Sequence, residues 1–265
     1  MWLNKNYNNK IQQEYKIESK FLEVKGVLDS LEIYKSPFFE EIAKFDEQIL
    51  LKKQIAIQSE LLAHVGACSH KEPKRVLIVG SFNLEIAYEL LKHENLKVDF
   101  LQFDLKILES LISFLPHFKE VLDNKNFTQI LQTNEEFLTQ SKENENFYDL
   151  IYVLKGDEKA FCALLNESGI LITKLPNLLL DTQSAKDKIQ SFESFLIKMP
   201  FFAPLSVDLE DCYLFASKKY HPTADIMLQR ADMLNDLEYY HANLHLSAFV
   251  LPKNIKTALL KASKN

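Results

Sequence analysis

The sequence predicts an α/β protein, with a mostly parallel sheet covered by helices on both faces and preceded by a small antiparallel β unit. Three observations predict it. RVLIVG, Arg75 to Gly80, is a continuous apolar run ending in glycine, which reads as a fully buried parallel strand followed by a tight turn. After it, strand-like and helix-like segments alternate, as right-handed crossovers in a parallel sheet require. Before it, short strand-like runs rich in bulky apolar residues succeed one another, separated by turn-forming stretches such as Lys35-Ser36-Pro37.

From about Glu14 to Leu51 the strands are Leu22–Val24, Leu31–Tyr34, Glu41–Phe45 and Ile49–Leu51. Such a unit is too small to bury enough surface alone and must lean on the rest of the chain or on a second copy. From Lys53 the period changes: Ile55, Leu61, Leu62 and Val65 suit one face of a helix. The expected division is therefore an N-terminal β domain, residues 1–52, and a Rossmann-like domain, residues 53–265. Beyond RVLIVG the pattern predicts a helix over Leu84–Leu91 and a strand over Val98–Phe103 ending on Asp104. A helix over Lys106–Phe114 and a weaker strand over Phe127–Leu131 follow. Then come a strand over Tyr148–Val153, a helix over Glu158–Leu165 and a strand over Gly169–Thr173. A long amphipathic helix fills much of Asp181–Ile197. Extended segments near Met199–Phe202 and Cys212–Ser217, joined by a short connection, suggest an antiparallel edge.

Composition narrows the function classes. The 265 residues are 47% hydrophobic and 26% charged, ordinary for a globular protein with a sizeable core. No apolar run approaches the roughly 18 residues that span a bilayer, and MWLNKNYNNK lacks the apolar core of a secretory signal. Cys68, Cys162 and Cys212 are widely separated, which argues for reduced thiols in a cytoplasmic protein. Neither CxxC nor HExxH spacing occurs, so no metal site is expected. A net charge of −6 gives no electrostatic reason to bind nucleic acid or an anionic membrane, and is compatible with a cationic substrate. There are only five glycines, against an average usage of about 7%, which is few for a phosphate-cradling loop.

In an open parallel sheet, ligands bind outside the carboxyl ends of the strands. That rule selects three loops. Gly80-Ser81-Phe82-Asn83 could bring backbone amides to a ligand, or could be a plain turn with Asn83 as N-cap. Asp104 could hold ribose hydroxyls, with Gln102 on the same side of the strand, or could cap the helix after it. Asp157 in Leu154-Lys155-Gly156-Asp157 could anchor a substrate amine, or cap the helix beginning at Glu158. His64, alone on its helix, carries little weight by itself.

QSELLAHVGAC (Gln58–Cys68), KRVLIVG, YDLIYV (Tyr148–Val153) and YYHANLHLSAFVLP (Tyr239–Pro252) resemble, in order and spacing, the spermidine synthase (polyamine aminopropyltransferase) family. The shape of the whole is similar to its smaller, divergent epsilonproteobacterial members. The resemblance implies a methyltransferase-type catalytic domain and homodimers or homotetramers assembled through the N-terminal domains. It implies decarboxylated S-adenosylmethionine as co-substrate, putrescine or a related diamine as acceptor, and spermidine and methylthioadenosine as products. No metal or cofactor is implied.

Carried over residue by residue, the resemblance places Gln48 near a donor-binding glutamine, although Phe45-Asp46-Glu47 stands where the family has LDG. Glu60 matches the glutamate of the family's YHE segment, and Gln58 replaces its tyrosine, a substrate contact. His64 matches a donor contact. Gly80 keeps the first glycine of the GGGDGG loop, and Asn83 replaces that loop's aspartate. Gln102 replaces the ribose-binding glutamate, Asp104 keeps the following aspartate, and Thr133 lies near the adenine-side aspartate. In the family's DSSD loop the first aspartate accepts the proton; Leu154 replaces it, Lys155 adds a positive charge, and Asp157 keeps the second acid. Asp208, Glu210 and Asp211, before the last strand, are further candidate acids. The readings left open are an active aminopropyltransferase, a binding or regulatory protein that has lost turnover, and a different adenosylmethionine-dependent transferase.

Overall fold

The structure, a computed structural model, describes residues 1–7, 10–27, 29–101, 104–143, 147–260 and 262. Gln102 therefore lies outside the described residues.

The chain opens with an antiparallel hairpin of β1 (Trp2–Tyr7) and β2 (Ile11–Lys16) that the sequence reading did not anticipate. In β1 the residues alternate strictly, with Leu3, Lys5 and Tyr7 inward. A lysine in the inward set hides the period of two from a reading by hydrophobicity. A four-stranded antiparallel meander follows: β3 (Ser19–Lys25), β4 (Ser30–Ser36), β5 (Glu40–Phe45) and β6 (Gln48–Leu51). Both of its faces are covered. Leu31, Ile33, Ala43 and Phe45 join the main core, while Tyr34, Ile42, Ile49 and Leu51 pack with Leu3, Tyr15 and Ile17 of the hairpin region.

Helix α1 (Ile55–Ser69) joins this unit to the large sheet. The expected single apolar face is too narrow a description, since every residue from Ser59 to Ser69 is buried. A helix so enclosed belongs to the core on all sides. Gly66 lets it approach the sheet: a Cβ there would lie 2.3 Å from the Tyr152 hydroxyl, which donates to the Ala63 carbonyl at 3.1 Å.

The large sheet contains β7 (Arg75–Val79), β8 (Lys97–Leu101), β9 (Phe127–Ile130), β10 (Tyr148–Val153), β11 (Leu165–Lys174), β12 (Ile197–Phe202) and β13 (Cys212–Ser217). Their order is β12-β13-β11-β10-β7-β8-β9, and of these seven strands β13 runs against the other six. The expected antiparallel edge is present: β12 and β13 pair antiparallel there, with β13 inserted between β11 and β12 and β12 outermost. The chain winds outward from β7 to β9, then returns to the other side of β7 at β10. The helices that follow β7 and β10 consequently pack on opposite faces of the sheet, which opens a crevice at the carboxyl ends of these two strands.

On one face lie α2 (Leu84–Leu91), α3 (Leu105–Ser110) and α4 (Phe118–Leu122) with α1; on the other lie α6 (Glu158–Cys162), α7 (Thr182–Gln190) and α10 (Lys253–Leu259). Two more short helices, α8 (Leu228–Asp232) and α9 (Ala242–Ala248), precede α10, and α5 (Asn134–Glu143) precedes β10. Helices α6 and α7 are shorter than expected, the first because Leu165 already belongs to β11. No helix among the described residues is long and apolar enough to cross a membrane.

Candidate functional site

Gly80 ends β7 with φ +70°, and a Cβ there would lie 1.9 Å from the Lys155 carbonyl oxygen. Only glycine tolerates both the angle and the approach, so the first loop and the loop after β10 touch backbone to backbone. The Gly80 carbonyl accepts from Gln48 Nε2 at 3.2 Å, which ties the meander to the crevice. Lys155 turns outward to pair with Asp46 in the β5–β6 turn, so its charge points away from the crevice.

Asn83 is the N-cap of α2: its Oδ1 accepts from the Glu85 amide at 3.0 Å and its Nδ2 donates to Ser59 Oγ at 2.9 Å. Between these loops lies a narrow cleft of about 30 Å³, lined by Gln48, Gln58, Asn83 and Leu154 together with Lys5, Lys174, Asp208, Glu210 and Tyr213. Six residues singled out in the sequence, Gln48, Gln58, Asn83, Leu154, Asp208 and Glu210, therefore meet in one place.

Four others are placed elsewhere. Asp104 caps α3, accepting from the Ile107 amide at 3.3 Å, and its second oxygen accepts from the Val27 amide of the β3–β4 turn at 2.8 Å. Asp157 caps α6, accepting from the amides of Lys159 at 3.1 Å and Ala160 at 3.3 Å, with its side chain exposed. The capping readings of Asn83, Asp104 and Asp157 all hold. Thr133 starts α5 in a reciprocal capping box: Glu136 Oε2 accepts from the Thr133 amide at 2.9 Å, and Thr133 Oγ1 accepts from the Glu136 amide at 3.3 Å. His64 corrects the expectation of a donor contact. Its ring is wholly buried, with Nδ1 3.0 Å from His93 Nε2 and Nε2 3.1 Å from Glu89 Oε2. Neither nitrogen is left for a ligand.

Sequence reasoning missed Lys5 and Lys174, and it named Asp208 and Glu210 without placing them. They form one charged cluster: Lys5 Nζ lies 2.9 Å from Asp208 and 2.9 Å from Glu210, and Lys174 Nζ lies 3.4 Å from Glu210. Burial pushes the Glu210 carboxyl up, but Lys174 and Lys5 outweigh it and hold it below the usual carboxylate range. Asp211 faces a separate apolar cavity with Leu178, Leu205 and Ile255, where burial pushes its carboxyl up to about 6. Glu60 has a different task. It is buried and accepts from the amides of Glu238 at 2.8 Å, Tyr239 at 2.9 Å and Tyr240 at 2.6 Å, pinning the C-terminal segment to α1.

The model of the spermine/spermidine synthase domain matches residues 55–227. The polyamine aminopropyltransferase of Helicobacter acinonychis (strain Sheeba) is 40% identical over 270 residues, covering 100% of both chains. The chain belongs to the spermine/spermidine synthase family. A second family relative, the polyamine aminopropyltransferase of Helicobacter pylori (strain ATCC 700392 / 26695), is 39% identical over 97% of each chain. The fold is also that of solved spermidine synthases. One, in complex with the transition-state analogue AdoDATO, superposes with a TM-score of 0.85 at 21% identity over 98% of this chain and 94% of its own. That from Thermotoga maritima gives 0.84 at 22% identity, with the same coverage.

Proposed function

We propose that this chain is an aminopropyltransferase that moves the aminopropyl group of decarboxylated S-adenosylmethionine to putrescine. The observation that carries the reading is the crevice between the Gly80 and Leu154 loops, at the point where strand order reverses, in a chain aligned end to end with a polyamine aminopropyltransferase. The reaction is an in-line displacement. A neutral amine nitrogen forms a bond to the carbon beside the sulfonium, the carbon–sulfur bond breaks with its electron pair going to sulfur, and the nitrogen loses a proton. Spermidine and methylthioadenosine result. Such chemistry asks the protein for positioning and for a proton acceptor, and for no metal or other cofactor.

In this reading Gln48, Gly80, Asn83, Gln102, Asp104 and Thr133 face the donor, and Gln58 and Asp157 face the amine. His64 acts through the packing behind them. Residues 1–52 form a domain that mediates self-association as a homodimer or homotetramer, supported by the exposed rings of Trp2, Phe21 and Phe38. The reaction is placed in the cytoplasm, with no nucleic-acid or membrane partner. A second reading, a family member that binds the nucleoside but turns over slowly or not at all, is favoured by one observation. Leu154, where the family's proton acceptor stands, is 9% exposed and apolar.

Asp157→Asn separates the roles of that residue, because asparagine keeps the cap and removes the charge. The expected outcome is a KM for putrescine raised about tenfold or more, with methylthioadenosine affinity unchanged by calorimetry; a charge-assisted contact is worth roughly 1.5–3 kcal/mol. Parent-like KM and kcat would reduce Asp157 to a cap.

A further inference from the structure

We infer that Lys5 is an internal stand-in for the amine substrate: its side chain fills the amine end of the cleft, and a diamine must displace it to bind. This rests on the aminopropyltransferase reading of the cleft. Lysine carries four methylenes ending in an ammonium, so it reproduces the chain and one charged end of 1,4-diaminobutane. Lys5 is 5% exposed, and its ammonium lies 3.0 and 2.9 Å from the two Asp208 oxygens and 2.9 Å from Glu210. Apolar walls for a polymethylene chain are present alongside it in Ile49, Leu50, Leu62 and Leu154. The cleft holds about 30 Å³, whereas small-molecule pockets run to about 300 Å³ or more. Something must leave before a substrate enters.

The element that carries Lys5 is built to cover the site. Hairpin β1–β2 clasps the 203–211 loop: Gln13 Nε2 donates to the Val207 carbonyl at 3.0 Å and Gln13 Oε1 accepts from the Leu209 amide at 3.3 Å. Tyr7 Oη accepts from the Asn177 amide at 2.5 Å on the other side. Asp208 and Glu210 belong to that loop, so hairpin, loop and cleft form one contact. Lys174 reaches only Glu210, at 3.4 Å, which leaves Asp208 dependent on Lys5 for its compensating ammonium among the ion pairs at the cleft. When a diamine enters, its ammonium takes over both carboxylates and Lys5 swings out with the hairpin. The acids lost from the Leu154 loop are thereby replaced by acids from the loop before β13.

A site closed most of the time lowers apparent affinity by its open fraction, so with roughly one molecule in ten open the loss is about tenfold. Two measurements on the full-length chain test this. Putrescine is titrated by calorimetry into the parent, Lys5→Gln and Asp208→Asn, and hydrogen exchange of residues 1–16 is followed by mass spectrometry with and without putrescine. The expected results are about tenfold tighter binding in Lys5→Gln, weaker binding in Asp208→Asn, and faster exchange in the parent hairpin when putrescine is present. Binding to the parent that leaves the hairpin equally or better protected would overturn the inference, even if Lys5→Gln failed to fold. Absence of putrescine binding to parent and Lys5→Gln alike would overturn it too. Spermidine formation with a KM unchanged by Lys5→Gln would sink the Lys5 inference while leaving the aminopropyltransferase reading intact.

Discussion

Glu60→Ala is expected to destabilise the protein by roughly 2–4 kcal/mol, because three backbone amides lose a charged hydrogen-bond acceptor. The Glu60 carboxylate is 2% exposed and accepts from three consecutive backbone amides, Glu238 to Tyr240. Taking it away breaks the buried hydrogen bond of the Tyr240 amide and the partly buried bonds of the Glu238 and Tyr239 amides, each costing up to about 1–3 kcal/mol unless the segment moves out to water. The segment is also the link between α1 and α9, so loosening it weakens the packing of Tyr240 against His64, whose ring centroids are 4.8 Å apart. Because whole domains have only about 5–15 kcal/mol of stability, the loss is a large share of the total. Urea unfolding of parent and variant measures it, with Glu72→Ala as the control at an exposed position. A loss below about 1 kcal/mol, which is what surface changes give, would contradict the pinning role.

Acidification is expected to unfold the protein well above the pH at which its carboxylates titrate. His64 and His93 are buried against each other, and burial holds both rings well below the ordinary histidine range. His245 is also buried and pushed down to about 4, with Nδ1 2.8 Å from Tyr240 Oη and Nε2 2.9 Å from the Pro222 carbonyl. The sign follows from linkage. These groups are neutral when folded but accept protons near 6.5 when unfolded, so their contribution is complete above pH 6.5 and is lost as pH falls toward the folded values. Glu89 and Asp211 oppose them in part, because burial raises both carboxyls, and His117, raised by its hydrogen bond to Glu85, opposes them near neutrality. With about one proton taken up net, stability falls by ~1.4 kcal/mol for each pH unit below about 6. Urea midpoints at pH 7, 6 and 5 measure the slope. A stability flat across that range would mean that the buried histidines already carry protons when folded.

Strands whose environment is local in character were legible: Tyr148–Val153 and Cys212–Ser217 run over the expected residues, and Leu84–Leu91 forms the expected helix. These segments declare themselves through continuous apolarity or a clear period of 3.6, and through flanking turn residues. Hairpin β1–β2 did not, because Lys5 faces inward only on account of Asp208 and Glu210, some two hundred residues away in the chain. Helix α5 has few apolar residues to mark a face, although its Thr133-to-Glu136 capping box was a signal within reach. At the site, the three loops at the strand ends were found by a rule about sheets. That Asn83, Asp104 and Asp157 cap helices was one of two readings, and only geometry separates a cap from a ligand contact. The carboxylates that line the cleft come from a loop between two antiparallel strands, where sequence periodicity says nothing about direction. His64 shows the converse: a motif match locates a residue in the chain but not which way its ring faces.

The account's central claim is aminopropyl transfer, and product analysis tests it most directly. The purified chain is incubated with decarboxylated S-adenosylmethionine and putrescine, and spermidine and methylthioadenosine are quantified together by mass spectrometry. The account predicts that both accumulate in equal amounts, in proportion to enzyme and time. Donor binding without either product, or methylthioadenosine released with no spermidine, would contradict it.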